Sequence, residues 1–210
     1  MIYKTLLISA GLMFALLPLR ADVVTFDLIA PPGNAVQSGT LTTQGFNFTS
    51  QSFHVIDQPS LCAGGCVDDG SQYLAVAGPG LDSPVTVTTA GGQLFSVSGF
   101  DAAKLFLTPG GLSGNPNADS LDLLGTLSGG GTVSTSLVLS AEGLFRTFTL
   151  TGFTNLTSLT ISGTGGGDPD ASWAVDNLAV LAAPEPSTML LVGCALLGAL
   201  ARLRSTTTRH

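Results

Sequence analysis

The chain has 210 residues, 44% of them hydrophobic and only 10% charged, with 27 glycines, a balance that argues against helices and for short strands joined by turns. Between Asp22 and Ala183 only Lys104 and Arg146 are basic against thirteen acidic residues, a formal charge of −11. Such a span excludes nucleic acid and anionic lipid as partners, since both are held by Lys and Arg, and leaves divalent cations or neutral glycans.

In chain order, Lys4 precedes the apolar run 5–17, and Leu19-Arg20-Ala21 follows just before Asp22. Residues 1–21 therefore read as a helical secretory signal peptide, a substrate for signal peptidase with the cut after Ala21. The run is shorter than the roughly 20 apolar residues that span a bilayer, so cleavage is expected in place of anchoring.

Residues 22–182 are expected to form one domain. Period-two or β-rich runs predict strands at 23–28, 45–49, 52–56, 73–77, 85–89, 94–100, 104–107, 120–127, 133–139, 146–150, 158–162 and 173–181. Gly and Pro clusters separate them, among them Gly64-Gly65, Gly91-Gly92, Asn115-Pro116 and the stretch from Gly165 to Pro169. No run keeps helical periodicity over three turns and no repeat has a fixed period. The expected fold is all-β, a two-sheet sandwich of the jelly-roll kind burying Phe46 and Phe48, Phe95 and Val97, Phe148 and Leu150.

Cys62 and Cys66 flank Ala63-Gly64-Gly65 in a loop, and in an oxidising compartment they are expected as a disulfide. Free thiols are the alternative. Zinc needs three or four ligands, and this span adds only His54. His54 and Glu142 are its only His and Glu. A Ser-His-Asp triad would have to use His54 in a strand with no nucleophile elbow. A glycosidase needs two carboxylates about 5 to 10 Å apart, which no spacing selects. The body is thus expected to be non-enzymatic, with a secreted hydrolase the least favoured reading.

Asp168, Asp170 and Asp176 fall within nine positions, and Asp27 on the first strand would approach them if the terminal strands pair. Hard oxygen ligands of this kind suit calcium, the one cofactor expected; the alternative is that they shape turns. Asp68-Asp69-Gly70 is a weaker group of the same sort, and Trp173 is expected in the core.

The tail, 183–210, opens with Pro184-Glu185-Pro186, continues as a transmembrane helix over 187–203 and carries the stop-transfer residues Arg202 and Arg204. At 1.5 Å per residue the sixteen positions 186–201 span about 24 Å, enough for a membrane if the arginines snorkel. Motif, helix and arginines in this order resemble the PEP-CTERM sorting signal of Gram-negative bacteria that produce extracellular polysaccharide. That resemblance implies an exosortase that acts at Pro184-Glu185-Pro186, a transient stay in the inner membrane, and release to the cell surface or the extracellular space.

The body resembles one common among PEP-CTERM proteins: Thr25-Phe26-Asp27, then 45–50, 92–101, 148–153 and Trp173-Ala174-Val175-Asp176-Asn177-Leu178. Such bodies are similar to galactose-binding-like jelly rolls, a likeness that implies the fold and no ligand. The functional expectation is a non-enzymatic surface or matrix protein, with a calcium-assisted module for extracellular polysaccharide as the runner-up.

Overall fold

A computed structural model describes residues 22–27, 29, 36–57, 62, 65–77, 84–112, 115–140, 143–165 and 171–182. The expected signal and transmembrane helices, Pro184, Glu185, Pro186, Arg202 and Arg204 lie outside them, as do Asp168 and Asp170. Among the described residues there are thirteen strands and no helix: β1 (Asp22–Val24), β2 (Val36–Thr43), β3 (Phe46–Ile56), β4 (Tyr73–Val76), β5 (Val85–Thr89), β6 (Phe95–Lys104), β7 (Gly111–Leu112), β8 (Asn115–Pro116), β9 (Ser120–Leu127), β10 (Thr132–Val138), β11 (Arg146–Thr149), β12 (Leu156–Thr164) and β13 (Trp173–Ala182).

Strict alternation sets the strands that were easiest to foresee. In β5, Val85 and Val87 point inward while Thr86 and Thr88 are partly exposed; in β9, Leu121 and Leu123 are buried between exposed Asp122, Leu124 and Thr126. One layer runs β10-β9-β12-β5-β3, with β2 on β3; the other runs β4-β13-β6-β11, with β1 on β13. All these pairings are antiparallel.

Two corners join the layers into a jelly roll. At one, β3 pairs with β5 through Phe46 to Thr49 and with β4 through His54 to Ile56. Its alternation slips at Ser52-Phe53, both buried, and the Ser50 hydroxyl donates to the Ser52 carbonyl at 3.2 Å. At the other, Leu156 of β12 pairs with Phe95 of β6. Side chains from both layers fill one core: Phe46 stacks edge-on to Phe95 at 5.6 Å, Phe26 to Phe48 at 5.1 Å, and Trp173 is buried. Leu150 is buried and Phe148 packs against the core while staying half-exposed.

The runs 45–49 and 52–56, expected as two strands, form the single strand β3, and β6 continues through Lys104 where a break was expected. β2 was not foreseen. Val36-Gln37-Ser38-Gly39 is polar and glycine-containing, and the strand exists because Thr40, Leu41 and Thr42 pair with Thr49, Phe48 and Asn47 across a turn at Gln44-Gly45. Asp27 lies in the turn after β1, not on the first strand, because the chain leaves the ladder to seat Phe26 in the core.

Candidate functional site

The outward side of β4, β13 and β6 carries a row of three alanines, since Ala174 pairs with Ala75 on one side and Ala103 on the other. Side chains this small let another layer settle onto the sheet. Cys66 and Val67 do so, and with Ile56, Tyr73, Leu105 and Phe106 they close a second hydrophobic cluster on the outside of the sandwich. Cys62 and Cys66 are joined as a disulfide. Val67 N–H donates to the Leu105 carbonyl (2.8 Å), the Tyr73 hydroxyl donates to the Val67 carbonyl, and Tyr73 stacks edge-on to Phe145 at 5.1 Å. Burial, reinforced by Asp69 and Asp68, pushes the Tyr73 phenol up, which keeps it a donor.

Two positions beyond Ala174 on the same side sits Asp176, 1% exposed and opposite Asp101 of β6. Asn177 follows with φ of 51° at a register shift between Asp176 and Ala179, a bulge that puts both Asp176 and Asn177 on the polar side before Leu178 returns to the core. Asn177 Nδ2 and the Thr147 hydroxyl each donate to Asp101, at 2.9 and 2.6 Å. Asp101 is thereby satisfied by its neighbours.

Asp176 is not. Its Oδ2 accepts from the Ser71 hydroxyl at 3.1 Å, and among the described residues its buried Oδ1 has no hydrogen-bond partner. The same Ser71 hydroxyl is 2.9 Å from Asp69 Oδ1, so one proton faces two carboxylates. Asp69 also accepts from Ser71 N–H (3.0 Å), and Asp68 from Gly70 N–H (2.9 Å), which fixes the turn that delivers Ser71. Beside it, Asp27 accepts from Gln72 N–H at 3.0 Å, and the Gln72 amide, turned with its nitrogen toward the carbonyls of Phe26 and Asp27, donates to both.

The Asp176 carboxyl is pushed up to about 7. Burial is the main cause, and the charges of Asp69 and Asp27 act the same way, while Asn177 N–H and the Ser71 hydroxyl pull it down. A proton on Asp176, or a cation beside it, would relieve the competition for Ser71.

The structure sets Asp27 close enough to Asp176 for its charge to act on that carboxyl. It adds Asp69 and Ser71, which sequence reasoning placed in a weaker group or passed over. Among the described residues no three His, Cys, Asp or Glu side chains are grouped so as to hold a metal ion. His54 sits within β3 between Val36 and Ala75 of the flanking strands.

The opposite outer face, over β2, β3, β5, β12, β9 and β10, is bare among the described residues. Thr40, Thr49, Thr86 and Thr160 form one register-aligned rung that continues to Leu124 and Ser134. A shallow hollow of about 470 Å³ lies over Asp122, Leu124, Ser134, Ser136, Thr160 and Ser162.

Residues 182–205 match the family of the PEP-CTERM protein-sorting motif, PEP_exosort_dom. The chain thus carries the sorting signal of exported, exosortase-processed proteins that stay transiently in a membrane. No curated protein matches the chain. Among solved structures it is similar to a family 29 carbohydrate-binding module mutant complexed with mannohexaose (TM-score 0.42, 11% identity, 78% of this chain and 92% of that one). It is also similar to TmCBM61 in complex with β-1,4-galactotriose (0.36, 10%, 67% and 90%) and to CtCBM11 in solution (0.32, 12%, 78% and 95%).

Proposed function

We propose that this protein is a non-enzymatic component of the cell surface or extracellular matrix. Signal peptidase removes 1–21, the 187–203 helix with Arg202 and Arg204 holds the folded body at the inner membrane, and an exosortase acts at Pro184-Glu185-Pro186. One observation carries the reading: the sorting motif begins at 182, where β13 ends. The last described strand ends at the first residue of the signal, so processing at Pro184-Glu185-Pro186 would release the described sandwich without unravelling a strand. Fractionation of cells with and without exosortase tests this. The body is expected at the surface or in the medium when the enzyme is present and in the inner membrane when it is absent; an unchanged distribution would contradict it.

A second reading, a calcium-assisted module for neutral extracellular polysaccharide, is supported by two features. The bare face offers uncharged hydroxyls that both donate and accept, as sugar hydroxyls do. Asp176 Oδ1, without a hydrogen-bond partner among the described residues and under the charges of Asp69 and Asp27, is where a hard cation would gain most, with further oxygens to come from water or glycan, and such an ion would hold the loop that carries Ser71. Electrophoresis through gels containing neutral polysaccharides, with calcium or with chelator, checks it. Retardation that chelation weakens is expected, and mobility unaffected by every polymer would contradict it.

A further inference from the structure

The edge strands of the sandwich differ in how they are protected. β1 has three residues; β11 has four and carries Arg146. β2 is interrupted by Gly39, at φ of 90°, where its register with β3 shifts. Short length, charge and bulges each discourage an edge from pairing with another chain. β10 has none of them. It runs seven residues in unbroken register from Thr132↔Thr126 to Val138↔Ser120, pairs only with β9 among the described residues, and lies in a stretch, 123–141, with no charged residue.

Its sequence is also close to symmetric about its middle residue. Outward from Thr135 the flanking pairs are Ser134 and Ser136, Val133 and Leu137, Thr132 and Val138. We propose that β10 pairs antiparallel with β10 of a second copy of this chain, about a two-fold axis at Thr135. The inner opposed pairs are then of like kind, hydroxyl on hydroxyl at 134 and 136 and aliphatic on aliphatic at 133 and 137, while the outermost sets Thr132 against Val138, both β-branched; this is the self-complementarity an isologous contact requires. Val133 and Leu137, partly buried against the core, and Val138, 76% exposed, would gain cover.

Charge favours this edge over the rest of a surface whose net charge is −11. The register sets Asp122 of β9 opposite Ser136. Across β9, β10 and their mates the two copies of Asp122 stand at least about 14 Å apart, beyond the screening length of about 8 Å at physiological salt. A seven-residue edge is only about 23 Å long. It buries less than the roughly 1,200 Å² of a stable interface, so the pair forms and parts with concentration. At a crowded cell surface it would join two bare hydroxyl faces into one continuous sheet.

Cross-linking tests the register directly. In the exported full chain with Cys194→Ser removing the tail thiol, Thr135→Cys places two thiols on the axis, within disulfide reach. A non-reducing gel is expected to show about tenfold more linked dimer than for Val133→Cys, whose two copies would sit about 13 Å apart along the pair. The double variant Val133→Cys with Leu137→Cys repeats the test off the axis and should also dimerise. Absence of dimer in both the Thr135→Cys chain and the double variant, or equal yields from Thr135→Cys and Val133→Cys, overturns the pairing.

Discussion

The two outer faces of this sandwich arise from the same antiparallel ladder and end in opposite states. Over β4, β13 and β6, three alanines make room for a disulfide-closed loop, and the result is an extra hydrophobic cluster with a carboxylate buried beside it. Over β5, β12, β9 and β10, β-branched and hydroxyl side chains stand upright, and no described segment lies on them. Side-chain size at the outward positions thus decides whether a sheet face becomes interior or remains surface. The covered face should carry stability, and the bare face should be nearly free of it.

The largest effect is expected for Tyr73→Ala. It removes a fully buried ring, its contact with Phe145 and its bond to the Val67 carbonyl, and should cost about 3 to 5 kcal/mol in chemical denaturation. A loss under about 1 kcal/mol would mean that the loop contributes little to folding. Next, opening the disulfide with Cys62→Ser and Cys66→Ser should cost about 2 kcal/mol, the chain-entropy value for so short a closure.

Asp176 sharpens the comparison through pH. Its folded value, about 7, stands above the ordinary 3.8, so between these the folded state holds a proton that the unfolded state has lost. In chelator, stability contributed by this group is therefore full below pH 4 and is lost as pH rises to about 7. Asp176→Asn should flatten that slope and stabilise the protein near pH 7 by about 1 to 3 kcal/mol. Unchanged pH dependence of the melting temperature in the variant would show that the site is better solvated than its burial indicates. The smallest effect belongs to the bare face: Thr160→Val should shift stability by less than about 0.5 kcal/mol, while reducing retardation by neutral polysaccharide. A large loss of stability would show that hydroxyl contacts across that face matter to the fold.

Much of this was legible in the sequence where the signal is local. β5 and β9 were read to the residue because Val85-Thr86-Val87-Thr88 keeps period two with opposite chemistries on the two faces, and Ser120-Leu121-Asp122-Leu123 does the same before Leu124 puts an apolar side chain outward. β3 was read in halves because its alternation slips where the strand changes layer at Ser52-Phe53, a tertiary event with no local signature. The candidate site was half legible. Asp176 and Asp27 stood out as carboxylates on terminal segments, yet Ser71 meets Asp176 across 105 positions of chain, and only the alanine row of Ala75, Ala103 and Ala174 shows that a loop can settle there. The sorting tail needed no fold at all, because motif, apolar run and arginines are contiguous.

The reading of the molecule as an exported sandwich delivered by its tail is tested most directly by the intact mass of the protein isolated from its native envelope. With exosortase present, the mass should correspond to a chain that starts near Asp22 and ends close to Pro184-Glu185-Pro186, with Cys62 and Cys66 two hydrogens lighter than free thiols. A mass that includes residues through His210 in that material would contradict it.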